Sequence, residues 1–219
     1  MRGSPKTDRM VAVFRHETGF PSRRTQATTM TQEETLSMLR ETGALLTGHF
    51  ELRSGLHSPE FFQCANVLRY PRKAAALCEQ LCKDLPAAVV AEARTVVSPA
   101  LGGILVGHEV ARALDKKCIF AEKKDGALVM RRFKVESGEP CIVAEDVVTR
   151  GGRVQETIDL VRAAGGRVLA VLTIVDRSGG AVSFGDIPHF SLLKMSPTVY
   201  DPASCPLCAA GSKAFHPGS

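Results

Sequence analysis

Apolar residues recur along this chain at two spacings that take turns. Leu36 and Leu39 stand at helical spacing behind Thr31-Gln32-Glu33-Glu34, whose Thr and Glu three apart form the pattern of a capping box, and Leu46 continues their stripe. After Gly48 the pattern breaks into short extended pieces, Phe50 to Arg53 and Phe61 to Gln63, separated by Ser54-Gly55 and Ser58-Pro59 turns. Pro71 suits the first turn of a second helix, where its missing N–H costs nothing, and Leu77, Leu81 and Leu85 give that helix a buried stripe. Val96-Val97 then leads into the turn Ser98 to Gly103 and a helix through Ala113. Cys118 to Ala121 reads as a strand, followed by a charged loop and the stretch Leu128 to Lys134. Cys141 to Ala144 is another short apolar strand, and Val154, Ile158 and Val161 mark the helix behind it. Gly165-Gly166 closes that helix, and Val168 to Val175 is a run apolar but for Thr173, of the kind needed by a strand covered on both faces.

Alternating strands and helices with continuously apolar strands predict an α/β fold, a doubly wound and mostly parallel sheet with right-handed crossovers. Residues 30–70 do not follow the alternation and are expected to form a small N-terminal cap, or hood, beside the carboxyl edge of the sheet. The chain has 219 residues, enough for one full core, which we assign to residues 30–219. No apolar run approaches the ~20 residues of a membrane span.

Charge changes this picture in one place. The net charge is +5, but residues 1–29 hold six basic side chains against Asp8 and Glu17. The remaining 190 residues carry 22 basic and 21 acidic groups, so the globular part is nearly neutral and bulk electrostatics predict no nucleic-acid binding. Residues 1–29 lack periodicity and read as a disordered extension, or as an artefact of start-site choice with Met30 as the start. Seven cysteines, five of them in apolar segments, and no secretory signal predict reduced core thiols in the cytoplasm. The tail carries Cys205-Pro-Leu-Cys208; structural zinc wants four ligands, and with His216 as a third and no fourth in view, plain tail thiols are the expectation.

The chemistry concentrates in residues 141–154. An apolar strand ends in the acidic pair Glu145-Asp146, and a loop then closes on Gly151-Gly152 at the start of a helix. That layout surrounds a phosphate with backbone N–H groups and a helix N-terminus, with acids beside it for a sugar diol or Mg²⁺. It lies at the carboxyl end of a strand, where open α/β sheets bind ligands. No Gly-Lys-Ser or Gly-Lys-Thr is present for a Walker loop, and the glycine spacing is not that of a dinucleotide fingerprint.

These residues resemble the diphosphate-sugar motif of the type I phosphoribosyltransferases, with Thr149 and both glycines in register; Arg150 and Arg153 depart from it by standing where hydroxyl residues are common. Four further segments resemble the orotate phosphoribosyltransferases. Phe50 to Phe62 is similar to the cap segment that frames orotate, with Arg53, Phe61 and Phe62 as candidates and one of the two phenylalanines expected in the core. Ser98 to Gly103 resembles the pyrophosphate turn, where Gly102 and Gly103 let backbone amides approach an anion. Ala121 to Gly126 resembles the mobile loop whose lysine, Lys123 or else Lys124, grips pyrophosphate in the partner subunit of a homodimer. Asp176-Arg177-Ser178 resembles the turn whose arginine holds the orotate carboxylate, while Thr149 contacts the base.

The resemblance implies transfer of phosphoribose from 5-phosphoribosyl 1-diphosphate to orotate. Glu145, Asp146 and Lys123 would be the catalytic side chains, and the run Val147, Val148, Thr149, Arg150, Gly151, Gly152 and Arg153 would hold the sugar phosphate. Mg²⁺ would be held mainly through substrate and water rather than by protein ligands. The nearest rival is a purine phosphoribosyltransferase; the rival from another class is a non-enzymatic sensor of the diphosphate sugar.

Overall fold

The computed structural model describes residues 30–52 and 54–217, so the extension expected over residues 1–29 and the role given to Arg53 lie outside the described residues. Helix α1 (Gln32–Glu41) opens on the expected box: the Thr31 hydroxyl accepts from the Glu34 N–H at 3.1 Å, and the Glu34 carboxylate accepts from the Thr31 N–H at 2.8 Å. Leu46 does not belong to it. Gly43 turns the chain at φ 69°, and Leu46 lies instead in β1 (Leu45–Glu51), which pairs antiparallel with β2 (His57–Phe62). The stripe overran because Leu46 sits two helical turns past Leu39, a spacing that does not register the turn between them.

A short α2 (Ala65–Leu68) leads into α3 (Pro71–Lys83), which opens on Pro71 and ends before Leu85, although Leu85 is buried. Helix α4 (Ala87–Glu92) has no fully buried residue, and its consecutive apolar positions Ala87 to Ala91 show no helical period to read. The remaining elements are β3 (Thr95–Pro99), α5 (Gly102–Leu114), β4 (Lys117–Lys124), β5 (Ala127–Val129), β6 (Pro140–Val148), α6 (Gly152–Ala163), β7 (Arg167–Asp176), β8 (His189–Lys194) and the short α7 (Pro206–Ala209). Strand order is β5-β4-β3-β6-β7-β8, parallel throughout except for β5 at one edge. The expected doubly wound, mostly parallel sheet is therefore present.

The charged loop after Ala121 is a correction: Glu122, Lys123 and Lys124 continue β4 and pair with Val129, Leu128 and Ala127. Lys123 and Lys124 are exposed, and a polar edge strand has no apolar alternation to betray it. At the sheet centre, Ile142, Ala144, Leu172 and Ile174 pack with Leu77 and Leu81 of α3 and Val106 and Val110 of α5. On the other face Val143 and Val171 meet Val154 and Ile158 of α6. Each of the wholly buried Leu and Ile side chains contributes roughly 1.5–3 kcal/mol. The five cysteines in apolar segments are free, and burial pushes the Cys141 thiol up to about 12, which keeps it a neutral core group.

The cap shares this core rather than standing apart, because Leu39, Leu45, Phe62 and Val67 belong to the main cluster. The C-terminal tail flanks the β1–β2 hairpin on both sides. The Glu51 N–H donates to the Phe215 carbonyl at 2.9 Å, and the Tyr200 N–H donates to the His57 carbonyl at 2.8 Å.

Candidate functional site

A cleft of about 820 Å³ opens where the carboxyl ends of the central strands meet the β1–β2 hairpin and the segment after β8. Its floor is the acidic pair. Strand β6 runs past Ala144 to Val148, so Glu145 and Asp146 lie within its last residues rather than beyond it. Both carboxylates abut the first turn of α5. A Cβ built on Gly102 would stand 3.0 Å from Asp146 Oδ1, and one on Gly103 would stand 2.9 Å from Glu145 Oε1. These two glycines make room for the carboxylates, and Gly102 also lines the cleft. The Ala100–Leu101 peptide that precedes them is cis.

The pair is also folded back on its own backbone. Glu145 Oε1 accepts from the Asp146 N–H at 3.0 Å, and Asp146 Oδ1 accepts from the Val147 N–H at 2.8 Å. Burial pushes the Glu145 carboxyl well above its ordinary range, and the neighbouring Asp146 charge pushes it further. Burial likewise raises Asp146. No lysine or arginine forms a salt bridge with either acid among the described residues. Two close, acceptor-only groups facing an open cleft suit a sugar diol, and as hard oxygen donors they suit Mg²⁺.

The loop after the acids divides into wall and scaffold. Val147, Thr149, Arg150 and Arg153 line the cleft. Val148 does not: its side chain packs in the core and its carbonyl accepts from the Arg177 N–H at 2.9 Å. Gly151 holds φ 80° at the cap of α6, and a Cβ there would stand 2.9 Å from Val182 Cγ1, so the turn admits glycine alone. A Cβ on Gly152 would meet nothing, which leaves the N-terminus of α6 open. Arg153 is steadied by Glu156 at 3.2 Å, whose other oxygen accepts from the Leu128 N–H at 2.6 Å.

A further part of the wall pairs aromatic rings with a cation. Phe62 belongs to the core, as one of the pair was expected to, yet it still borders the cleft; Phe61 is half-buried against Phe50, with ring centroids 5.7 Å apart. Arg177 stands with its guanidinium carbon 5.7 Å from the Phe62 ring centroid. The turn that aims it is fixed by Asp176, whose Oδ1 accepts from the Ser178 N–H at 2.8 Å and the Ser178 hydroxyl at 2.6 Å. Arg177 Nε is buried with no hydrogen-bond partner, and burial lowers the guanidinium pKa from its ordinary value. A desolvated cation with an unused donor is a counterpart for a carboxylate.

Lys123 and Lys124 do not line this cleft, and Gly103, Gly151 and Gly152 shape it without forming its wall. Sequence reasoning named the segments that hold Leu52, Ser54 and Ala100 without singling those residues out, and it missed Gln63, Ser196, Pro197 and Val199. Ser196 and Pro197 follow the carboxyl end of β8, the right edge at which to look, but β8 itself was not legible.

No family model matches the chain. It is 47% identical over 191 residues to the orotate phosphoribosyltransferase of Chlorobaculum parvum, covering 87% of this chain and 97% of that one. It is 49% identical over 180 residues to that of Carboxydothermus hydrogenoformans, covering 82% and 93%. Among solved structures, the orotate phosphoribosyltransferase from Aeropyrum pernix aligns with TM-score 0.62 at 21% identity, over 72% of this chain and 91% of that one. The adenine phosphoribosyltransferase from Thermoanaerobacter pseudethanolicus aligns with TM-score 0.61 at 18% identity, over 75% and 100%. At these identities the solved structures speak for the fold alone.

Proposed function

The chain belongs to the orotate phosphoribosyltransferases, and from that membership we propose how its cleft carries out their reaction. That reaction transfers phosphoribose from 5-phosphoribosyl 1-diphosphate to orotate, giving orotidine 5′-phosphate and pyrophosphate in pyrimidine biosynthesis.

Glu145 and Asp146 accept hydrogen bonds from the ribose hydroxyls and fix C1′ below the incoming base. Thr149, Arg150, Arg153 and the open N-terminus of α6 hold the 5′-phosphate; the two arginines supply bidentate donors where relatives commonly use hydroxyls. Orotate lies against Phe61 and Phe62 near Thr149, with its carboxylate on Arg177. The observation that carries this reading is Arg177: a half-buried guanidinium against an aromatic ring, with a buried and unpartnered Nε, lining the same cleft as the acid pair.

Breaking the C1′–O bond places positive charge on the ribose, so the protein needs no nucleophile. Its work is positioning, stabilising the departing pyrophosphate and excluding water that would hydrolyse the activated sugar. When bound, Mg²⁺ neutralises charge on the diphosphate; Glu145 and Asp146 are the residues that would hold it, through water. A homodimer, in which the β4–β5 hairpin of each subunit brings Lys123 to the other's cleft, and a cytoplasmic location complete the proposal. No helix among the described residues is long and apolar enough to cross a membrane.

The test follows the loss of orotate ultraviolet absorbance with purified protein, Mg²⁺ and the diphosphate sugar, running adenine, hypoxanthine and uracil alongside. Consumption of orotate alone is expected. Turnover of a purine would overturn the assignment of Arg177, and sugar binding without turnover of any base would point to a sensor. Lys123→Ala is expected to lower kcat by about 10²-fold while leaving orotate affinity nearly unchanged. A larger effect from Lys124→Ala would move the loop assignment by one residue.

A further inference from the structure

Cys205 and Cys208 bracket Pro206-Leu207 at the start of α7, and their spacing brings both sulfurs to one side of that single turn. Facing them are His49 on β1 and His57 on β2, with ring centroids 4.8 Å apart. All four ligand atoms lie within 4.8 Å of one another, and only Cys208 is exposed.

Hydrogen bonding does not account for this cluster. His49 Nε2 lies 2.9 Å from His57 Nδ1, 3.5 Å from Cys205 Sγ and 3.8 Å from Cys208 Sγ, and Cys208 Sγ lies 3.4 Å from His57 Nδ1. One imidazole nitrogen offers a single N–H or a single lone pair, so it cannot serve three partners at once. A cation at the centre can. With Zn–N of about 2.0–2.1 Å and Zn–S of about 2.3 Å, a tetrahedron has nitrogen–sulfur edges of about 3.5 Å, which the separations of 3.4, 3.5 and 3.8 Å match. The two imidazole nitrogens at 2.9 Å sit slightly closer than its nitrogen–nitrogen edge of about 3.3 Å.

We propose that His49, His57, Cys205 and Cys208 form a zinc site that staples the C-terminal tail to the β1–β2 hairpin. Two imidazoles and two thiolates in tetrahedral disposition select zinc over hard cations, and four protein ligands leave no position for substrate, so the ion is structural. It stands apart from the acid pair and lines no part of the cleft. Its effect reaches the cleft through the hairpin, whose turn carries Leu52 and Ser54 and whose opposite end carries Phe61 and Phe62. The tail histidine suggested by the sequence is not a ligand, because His216 Nδ1 lies 3.1 Å from the Glu51 carbonyl instead. His49 and His57 escaped notice because they are 156 and 151 residues from the thiols they face.

The test is the metal content of the untagged full-length protein after dialysis against metal-free buffer with reductant, read by plasma mass spectrometry. One zinc per chain is expected, retained in His216→Ala and Cys82→Ser and lost in Cys208→Ser and His57→Ala. Zinc absent from the wild type, a Cys205–Cys208 disulfide in its place, or equal loss in His216→Ala would overturn the proposal. Should the ligand variants fail to fold, cobalt(II) exchanged into the wild type decides. Visible bands of tetrahedral cobalt with thiolate charge transfer are expected, and their absence would overturn the site.

Discussion

Two buried glutamates, one just before strand β6 and one near its carboxyl end, have carboxyls perturbed in opposite directions. Glu139, just before its first residue, accepts from the Thr95 hydroxyl at 2.6 Å, Lys117 Nζ at 2.6 Å and the Glu136 N–H at 2.8 Å. Burial alone would raise its pKa, but the Lys117, Thr95 and Glu136 partners together win and lower it to about 2. Glu145, near the other end, has burial and a second carboxylate as its leading influences, and both push it up. One end of the sheet is electrostatically satisfied and the other is held unsatisfied. The first contributes stability, while the second keeps acceptors desolvated and oriented for a ligand that brings its own donors.

The two ends answer pH with opposite signs. Glu139 is depressed in the folded state, so its stabilisation is present above the ordinary carboxyl value of 4.5 and is lost as pH falls through about 2. Glu145 and Asp146 are raised in the folded state, so the fold is favoured below their ordinary values and loses that advantage as pH rises through the raised ones. At neutral pH the acid pair therefore costs stability.

The hardest test of this contrast is Asp146→Asn. It removes an acceptor from the site we propose for the sugar, and turnover is expected to fall by about 10²-fold or more. The same change relieves a desolvated charge beside Glu145, so the melting temperature is expected to rise. Near-normal turnover would remove Asp146 from the reaction, and a lowered Tm would show that the acid pair is not strained. Arg177→Ala comes next. Losing a charged pairing of roughly 1.5–3 kcal/mol should lower kcat/KM for orotate by about 10- to 10²-fold, with KM for the diphosphate sugar unchanged. Equal damage to both substrates would mean that the Arg177 side chain supports the cleft through its packing against Phe62 rather than by reading a carboxylate.

What was legible in the sequence follows from the same division. The central strands announced themselves because Ile142 to Ala144 and Leu172 to Val175 are covered on both faces and, Thr173 apart, are apolar throughout. The acid pair and its glycine loop were legible because their chemistry is packed into ten consecutive residues. Elements with little buried surface were not: α4 has no fully buried residue, and the end of β4 is Lys123-Lys124. Sites assembled across the chain were also out of reach. Ser196 and Val199 join the cleft, and His49 meets Cys205, only through strand order and the return of the tail.

Glu139→Gln probes the satisfied end and should have the smallest effect on chemistry. A carboxyl held at about 2 instead of 4.5 corresponds to roughly 3 kcal/mol at neutral pH. The Lys117 side chain is 62% exposed, and solvent screening of that partner reduces the contribution to about 2 kcal/mol. For a chain of this size the Tm should fall by roughly 5 °C at neutral pH. The gap between variant and wild type should narrow as pH drops from 4.5 toward 2, because only the wild type then loses its charged pairing. Steady-state kinetics with orotate should not change, since Glu139 lies at the opposite end of β6 from the acids that face the cleft. A fall in kcat comparable to that of Asp146→Asn would break the division between the two ends. An unchanged Tm would show that desolvating the carboxylate offsets all that Lys117 and Thr95 return.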